Sequence, residues 1–517
     1  MIARHEALER LRRGGAFDLA IVGGGVTGAA VLYEASRRGL RAALVERGDF
    51  ASGTSSRSSK LVHGGLRYLR EGKLGLTRES VRERQALLRD LPGLVEPVEF
   101  VMPHYRGRKP SRTTLALGLA LYDLLARSWR HRYLDRQATL ALVPPLDERG
   151  LTGAHAYLDA TTGDARLVLR LLQEACALGA IAVNYAEAAP LIAAGSVRGV
   201  RVRSSGNPDG FDVAARAVIN ATGAYADGLR AALGAPPRLR PLRGSHLVLD
   251  PARLPLTRCV AFEHPADGRP VFAYPWLGRI LVGTTDLDHG ESLVREPAIS
   301  PREAEYLREA LSFAFPNLDA VPGVVATFAG VRPIVDTTAA PPSKASRDHV
   351  VWKDSGLITI TGGKLTTFRP MAMDALRAAA PALPPFDLQA RRAFSNSAIP
   401  RVAGVDPETW RRLTGRFGSA CADVVARAAA DDLQTIGNTP FTWAELRWSA
   451  RHESVLHLDD LLLRRTRAGL LLRDGASEHF DRIAATCAQE LGWDSARWAR
   501  ERAAYLARVH ANYGVPA

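Results

Sequence analysis

One glycine-rich turn, set between an apolar strand and a helix, constrains this chain more than any other feature. Phe17–Val22 (FDLAIV) is the short apolar run expected of a buried parallel strand. Gly23-Gly24-Gly25-Val26-Thr27-Gly28 follows, and helical spacing runs over Val26–Arg38 and stops before Gly39. A second strand, Leu40–Glu46, ends in an acid. Strand, G-x-G-x-x-G, helix and acid-tipped strand form one βαβ unit suited to a dinucleotide. Gly23 permits the tight turn, Gly25 lets backbone approach the pyrophosphate, and Gly28 lets helix and strand pack closely. The helix N-terminus stabilises phosphate charge. Glu46, 18 residues past Gly28, is placed to accept hydrogen bonds from an adenosine ribose, which disfavours a 2′-phosphate.

A nicotinamide-binding domain would continue into further βα units. Here the chain runs instead into Ser52-Gly53-Thr54-Ser55-Ser56-Arg57-Ser58-Ser59-Lys60, dense in hydroxyls that can bond a pyrophosphate or an isoalloxazine. Later, after a meander read over Ser196–Arg203 and Phe211–Asn220, comes Ala217-Val218-Ile219-Asn220-Ala221-Thr222-Gly223. A strand ending in Ala-Thr-Gly recurs in flavoproteins, where it returns backbone to the cofactor. Both features favour FAD over NAD.

The 517 residues exceed one compact core, so two or three domains are expected. Further along, Arg166–Leu178 reads as an amphipathic helix, Ile181–Tyr185 as a strand, Val271–Thr285 as two strands split at Leu277-Gly278, and Val350–Thr361 as a hairpin. A Pro-rich stretch, 381–400, reads as a linker, and residues 401–517 as a separate helical domain. No apolar run reaches the roughly 18 residues that span a bilayer. The charged N-terminal helix lacks the apolar core of a secretory signal. Four scattered cysteines, 176, 259, 421 and 487, fit a reducing compartment and offer no metal spacing, so no metal is expected. The net charge of +14 rests on arginine, because only six lysines occur. A basic surface attracts anionic substrates, acidic lipid or nucleic acid. The charges are spread along the chain without an aromatic-interleaved stripe, which argues against nucleic acid.

The stretch Ser55-Ser56-Arg57-Ser58-Ser59-Lys60-Leu61-Val62-His63-Gly64-Gly65-Leu66-Arg67-Tyr68-Leu69 closely resembles the signature of the FAD-dependent glycerol-3-phosphate dehydrogenases. Six more blocks match in order: Asp164–Leu167, Gly244–His246, Gly283–Asp286, Gly330–Pro333, Arg347–His349 and Gly362–Thr367. Leu456–Arg467 resembles the family's C-terminal cap more loosely. One departure is Ala224-Tyr225, where the family pattern has Pro-Trp. The resemblance implies an α/β fold: a Rossmann-type FAD-binding domain (1–75, 156–235 and 325–380), a mixed-sheet substrate domain (76–155 and 236–324), and an all-α cap. It implies FAD contacts from Gly23, Gly25, Gly28, Glu46, Thr54, Ser55, Ser59, Lys60, His63, Gly64, Gly65, Thr222, Gly223, Gly330, Gly363, Lys364, Leu365 and Thr366. It also implies oxidation of sn-glycerol 3-phosphate to dihydroxyacetone phosphate, with hydride passing to the flavin N5 and electrons to a membrane quinone.

Holding a phosphate dianion favours several guanidinium groups, whose forked donors match its oxygens. The resemblance implies that Arg332, Arg347 and Lys364 lie around the substrate, with Arg67 and Tyr68 close by, and that Arg332 and Lys364 also act in catalysis. Lys60 and Lys364 stand out in an arginine-rich chain as point charges able to sit near a flavin carbonyl. Histidine titrates near working pH, and His246 is the preferred substrate-side base, with His63 and an arginine-polarised alkoxide as alternatives. Two other activities fit the same pattern: an FAD enzyme of amino acids or 2-hydroxy acids, and an oxidase that makes hydrogen peroxide. Arg106–Tyr133, leucine-rich with basic and aromatic flanks, reads either as an interfacial anchor on anionic lipid or as a core helix. The expected location is the cytoplasm, peripheral on the inner face of its membrane, and a homodimer is compatible with all of this.

Overall fold

The computed structural model describes residues 3–70, 72–318, 323–335, 348–389, 391–394 and 399–516, without the side chains of Arg67 and Arg70. The chain runs through β1 (Phe17–Val22), α1 (Val26–Ser36) and β2 (Ala42–Val45), then out to α2 (Arg112–Ala126). It returns through α3 (Asp164–Ala177) and the long strand β3 (Asn207–Asn220). It then crosses β4 (Leu239–Leu249), β5 (Arg279–Gly283) and β6 (Val324–Val335) before β7 (Leu357–Gly362).

Two sheets result. In the first, β1 lies between β2 and β3, all parallel, with β7 parallel to β3 and 181–183 parallel to β2. The hairpin partner of β7, 349–354, pairs antiparallel at the edge. A meander of 186–193 and 196–204 feeds β3. The second sheet is nine-stranded and mostly antiparallel; β4 pairs with both β5 and β6. Parallel strands buried on both faces require helices on both sides, and α1 is buried almost all round, from Gly28 to Ser36. Its small residues, Gly28, Ala29 and Ala30, permit that close approach to the sheet.

The first βαβ unit lies where the glycine pattern places it, with ends shifted by one or two residues. Sheet membership departs from the expected domain limits. Strand Leu151–Thr162 and β6 belong to the second sheet, although 156–235 and 325–380 were assigned to the FAD-binding part. The reason is long-range pairing: β6 is zipped to β4 from Leu239↔Val335 to Leu249↔Val324, which alternation within β6 cannot reveal. The 381–400 stretch also differs from a free linker. Phe394 is buried and stacks on Tyr33 of α1 at 5.3 Å, and Arg37 donates to the Arg392 carbonyl at 2.7 Å. Beyond residue 400 the described elements are helices, among them Pro407–Phe417, Trp443–His452, Phe480–Leu491 and Ser495–Tyr513. No described helix is long and apolar enough to cross a membrane.

Candidate active site

A cavity of about 640 Å³ opens at the carboxyl ends of β1, β2, β3 and β7 and continues against the second sheet. Ligands bind at such a switch point because strand order reverses there and loops diverge. The glycines explain its floor. Gly23 takes φ +112°, and a Cβ at Gly28 would stand 1.9 Å from the Gly23 carbonyl oxygen. Gly25 has Ser55 Oγ 3.2 Å from where a Cβ would be, and that hydroxyl accepts from the Val26 amide at 2.9 Å. Glu46 lies at the tip of β2 and accepts from the Gly24 and Gly48 amides at 2.6 and 2.7 Å. Burial pushes its carboxyl up from the ordinary range, and those two amides oppose the shift.

Most of the expected cofactor positions line this one cavity: Gly23, Gly25, Glu46, Thr54, Ser55, Ser59, His63, Thr222, Gly223, Gly330, Gly363, Lys364, Leu365 and Thr366. Thr54 donates to the Val331 carbonyl, joining the hydroxyl-rich loop to β6. Thr366 donates to the His63 carbonyl at 3.1 Å, and Thr361 to the Gly223 carbonyl at 3.0 Å. Four expected positions stand behind the wall instead. Gly28 packs α1 on β1, as its closeness to Gly23 shows. Gly64 donates its amide to Asp159 at 3.0 Å, and a Cβ there would meet Tyr122 Oη at 2.2 Å. Gly65, at φ +84°, gives room to the Tyr68 ring.

Lys60 is the fourth. Its ammonium points away from the cavity and donates to Asp164 at 2.8 Å and to the Ser56 and Ser58 carbonyls at 2.9 and 3.2 Å. A fully buried ammonium needs an anion, and Asp164 supplies one from the first turn of α3. Burial pulls Lys60 down to about 7, with Asp164 opposing.

Also in the cavity lining, Arg332, on β6, donates to Asp286 Oδ1 at 3.0 Å and Thr284 Oγ1 at 3.0 Å. Lys364 holds its ammonium 3.5 Å over the Tyr68 ring and donates to Ser80 Oγ at 3.2 Å. Arg67 lies on the short helix Leu66–Arg70, while Arg347 lies outside the described residues. His246 does not line the cavity. It is buried, stacked on Phe328 at 4.7 Å, and its Nε2 meets Ser59 Oγ at 2.8 Å, so the serine stands between ring and cavity. Burial first, then the charges of Lys60 and Arg332, hold the imidazole well below its ordinary pKa.

Several contributors carry no role in the sequence reading. Gly244 flanks Arg332, Asp164 anchors the Ser58–Lys60 turn, and Arg47 sits 4.2 Å over the ring of Tyr225 beside Glu46. Asp164 and Gly244 each open one of the matching blocks, Asp164 as an acid starting a helix, whereas Arg47 carried no visible signal. Tyr225, where the family pattern has Trp, keeps an aromatic ring in the cavity lining, with the Arg47 cation on its face.

A glycine cradle, a half-buried acid at a strand tip and two cations in the lining of one cavity define a dinucleotide-dependent oxidoreductase. The FAD dependent oxidoreductase family matches residues 18–369, and the C-terminal domain of alpha-glycerophosphate oxidase matches 369–498. An aerobic glycerol-3-phosphate dehydrogenase of Staphylococcus aureus (strain USA300) is 32% identical over 495 residues, covering 90% of this chain and 89% of its own. The crystal structure of the glycerol-3-phosphate dehydrogenase from Bacillus halodurans, complexed with FAD, superposes with TM-score 0.78 at 27% identity, over 98% of this chain and 97% of that one. The L-alpha-glycerophosphate oxidase of Mycoplasma pneumoniae shares the fold, with TM-score 0.59 at 21% identity over 75% of this chain and all of its own. The chain belongs to the FAD dependent oxidoreductase family and, within it, to the FAD-dependent glycerol-3-phosphate dehydrogenases.

Proposed function

We propose that this enzyme oxidises the secondary alcohol of sn-glycerol 3-phosphate to dihydroxyacetone phosphate and passes the electrons to a membrane quinone. The observation that carries this reading is that Arg332, on β6, and Lys364, just past β7, line the same cavity as the glycine turn. FAD, when bound, supplies the hydride acceptor. Gly23, Gly25 and the α1 N-terminus suit its pyrophosphate, and Glu46 its ribose. Arg332 and Lys364 hold the phosphate dianion and fix the carbinol carbon in register. The carbinol proton leaves through Ser59: the hydroxyl gives its own proton to neutral His246 Nε2 and takes the substrate's in return. Tyr68, which lines the cavity under the Lys364 ammonium, completes the grip on the substrate; for Arg67 and Arg347 the family resemblance is the support.

Membrane attachment is assigned to α2. Leu117, Leu121 and Leu124 face outward, two of them 74% and 64% exposed, while Leu115, Leu119, Tyr122 and Ala126 face the core. Trp129, 67% exposed, and the exposed Arg106, Arg108, Lys109, Arg112, Arg127, Arg130 and Arg132 flank this face, a pattern suited to an acidic lipid interface. Asp123, inside the leucine run, turns inward and accepts from the Arg130 and His131 amides at 2.6 and 2.9 Å.

The test is anaerobic: sn-glycerol 3-phosphate should bleach the flavin band of the purified holoenzyme, whereas glycine, sarcosine and 2-hydroxyglutarate should not. A short-chain quinone should then restore the colour faster than air does. A band untouched by glycerol 3-phosphate refutes the substrate, and faster return in air refutes the acceptor.

A further inference from the structure

The segment Leu456–Arg467 contributes nothing to the cavity wall, since no residue beyond Met371 lines it. Yet this stretch sends three arginines into the FAD-binding part. Arg464 and Arg465 both bind Asp49, three residues past Glu46, with Arg465 Nη2 at 2.8 Å from Oδ1. Arg467 binds Asp164 Oδ1. All of these groups are buried.

Asp164 is the hub. Its Oδ2 accepts from the Ser58 amide at 3.1 Å, Ser58 Oγ at 2.8 Å and Lys60 Nζ at 2.8 Å. Its Oδ1 accepts from the Ala165 amide at 2.9 Å and from Arg467. Burial alone would raise its carboxyl, but Lys60 and Arg467 hold it below the ordinary range. The turn it grips includes Ser59, which lines the cavity and bonds His246, and Lys60, which is held in the left-handed region at φ +56°. A lysine adopts that conformation only where its surroundings fix it. Thr162 N and Thr161 Oγ1 hold the Lys60 carbonyl at 2.9 and 3.0 Å and Tyr274 holds that of Ser59, while the Lys60 side chain and Ser58 are tied to one carboxylate, itself clamped from behind by Arg467. Arg467 too is left-handed, at φ +62°, and its Nη1 is anchored on the Leu463 carbonyl at 2.9 Å. Both ends of the clamp are therefore rigid.

We propose that Asp164 and Arg467 are positioning residues: through Lys60 and the Ser58 backbone they set where Ser59 stands, so that the helical C-terminal region governs the chemistry of a cavity it does not line. Without the Arg467 guanidinium, Asp164 keeps its charge but loses the constraint that orients it, and Ser59 drifts relative to both His246 and the cofactor. This rests on the glycerol 3-phosphate reading for its kinetic arm only.

The experiment compares wild type, Arg467→Met, Arg467→Lys and Asp164→Asn as FAD holoenzymes. Arg447→Met, which removes an ion pair with Asp432 and Glu490 inside the C-terminal region, is the structural control. FAD content, visible circular dichroism of the bound flavin, Tm, KM and the anaerobic reduction rate are read together. Arg467→Met should keep its FAD and a KM near that of wild type, alter the flavin dichroism, and slow reduction by about ten- to a hundredfold, the cost of a displacement near 1 Å. Arg467→Lys should recover part of both signals, and Arg447→Met should lower Tm alone. Should Arg467→Met not accumulate, Arg467→Lys, which keeps a cation beside Asp164, carries the same expectation at smaller size. Holoenzyme with wild-type dichroism and reduction rate, or with loss confined to Tm, overturns the proposal. A wild-type flavin that glycerol 3-phosphate fails to bleach sinks the substrate reading instead, and the dichroism comparison then still decides on positioning.

Discussion

Replacing Gly244 with alanine should displace the Arg332 guanidinium, proposed above to hold the phosphate, without deleting it. A Cβ at Gly244 would stand 2.2 Å from Arg332 Nη2, 2.4 Å from Nη1 and 2.5 Å from Cζ. The strands cannot yield, because Gly244 is paired with Gly330 across β4 and β6, with Arg243↔Val331 and Ser245↔Ala329 on either side. The side chain must therefore move, by about 1 Å, to regain ordinary contact distance. Such a shift stretches the present bonds to Asp286 and Thr284, both 3.0 Å, beyond hydrogen-bonding range. One hydrogen bond to a charged group contributes about 1.5–3 kcal/mol when its partner would otherwise be left unpaired. Losing one to the substrate phosphate should therefore raise KM about ten- to a hundredfold. Steady-state kinetics with a soluble quinone, on protein checked for full FAD occupancy, measure this directly. Gly244→Ala with full FAD and KM within about twofold of wild type would show that Arg332 does not hold the phosphate.

The other expectations concern the proton and the surface. Ser59→Ala should slow anaerobic flavin reduction by about a hundredfold with little change in KM, since it cuts the route from substrate to His246; an unchanged rate removes the pair from the mechanism. Because burial and nearby cations hold His246 well below its ordinary pKa, the ring stays neutral through the usual histidine range. The reduction rate should therefore not fall between about pH 8 and pH 6, as a base of ordinary histidine pKa would require, and a midpoint in that window, read by stopped flow, would contradict the assignment. Leu117→Ser, Leu121→Ser and Leu124→Ser combined should abolish flotation with vesicles containing phosphatidylglycerol while leaving turnover with a soluble acceptor intact; undiminished flotation would place the membrane face elsewhere.

The nucleotide cradle was legible because each glycine there answers to backbone geometry alone. Gly23 sits at φ +112° and Gly28 abuts a carbonyl, constraints that leave their mark within a few residues of sequence. The hairpin around 354–356 was legible for the same reason, with Ser355 and Gly356 both at positive φ. Pairings across long stretches of chain were not. Lys60 drew notice as a rare lysine, but its partner lies 104 residues away, and nothing local distinguishes an ammonium facing the cavity from one facing Asp164. His246 was identified by residue type, whereas the serine interposed before it comes from 187 residues earlier. Residues 324–335 carried no strand reading at all, and their place in the second sheet rests on pairing with the distant strand Leu239–Leu249.

The inward turn of Asp123 bears on when the leucine-bearing helix can touch lipid at all. In the unfolded chain that carboxylate is hydrated and sits within the leucine run, which hinders insertion of the segment. Only after folding is it sequestered by the backbone of the turn that follows, leaving a face of leucine side chains bordered by tryptophan and arginine. On the membrane attachment proposed above, affinity for a bilayer would come from tertiary structure rather than from average hydropathy, and a newly made chain would meet its lipid surface only as a finished enzyme.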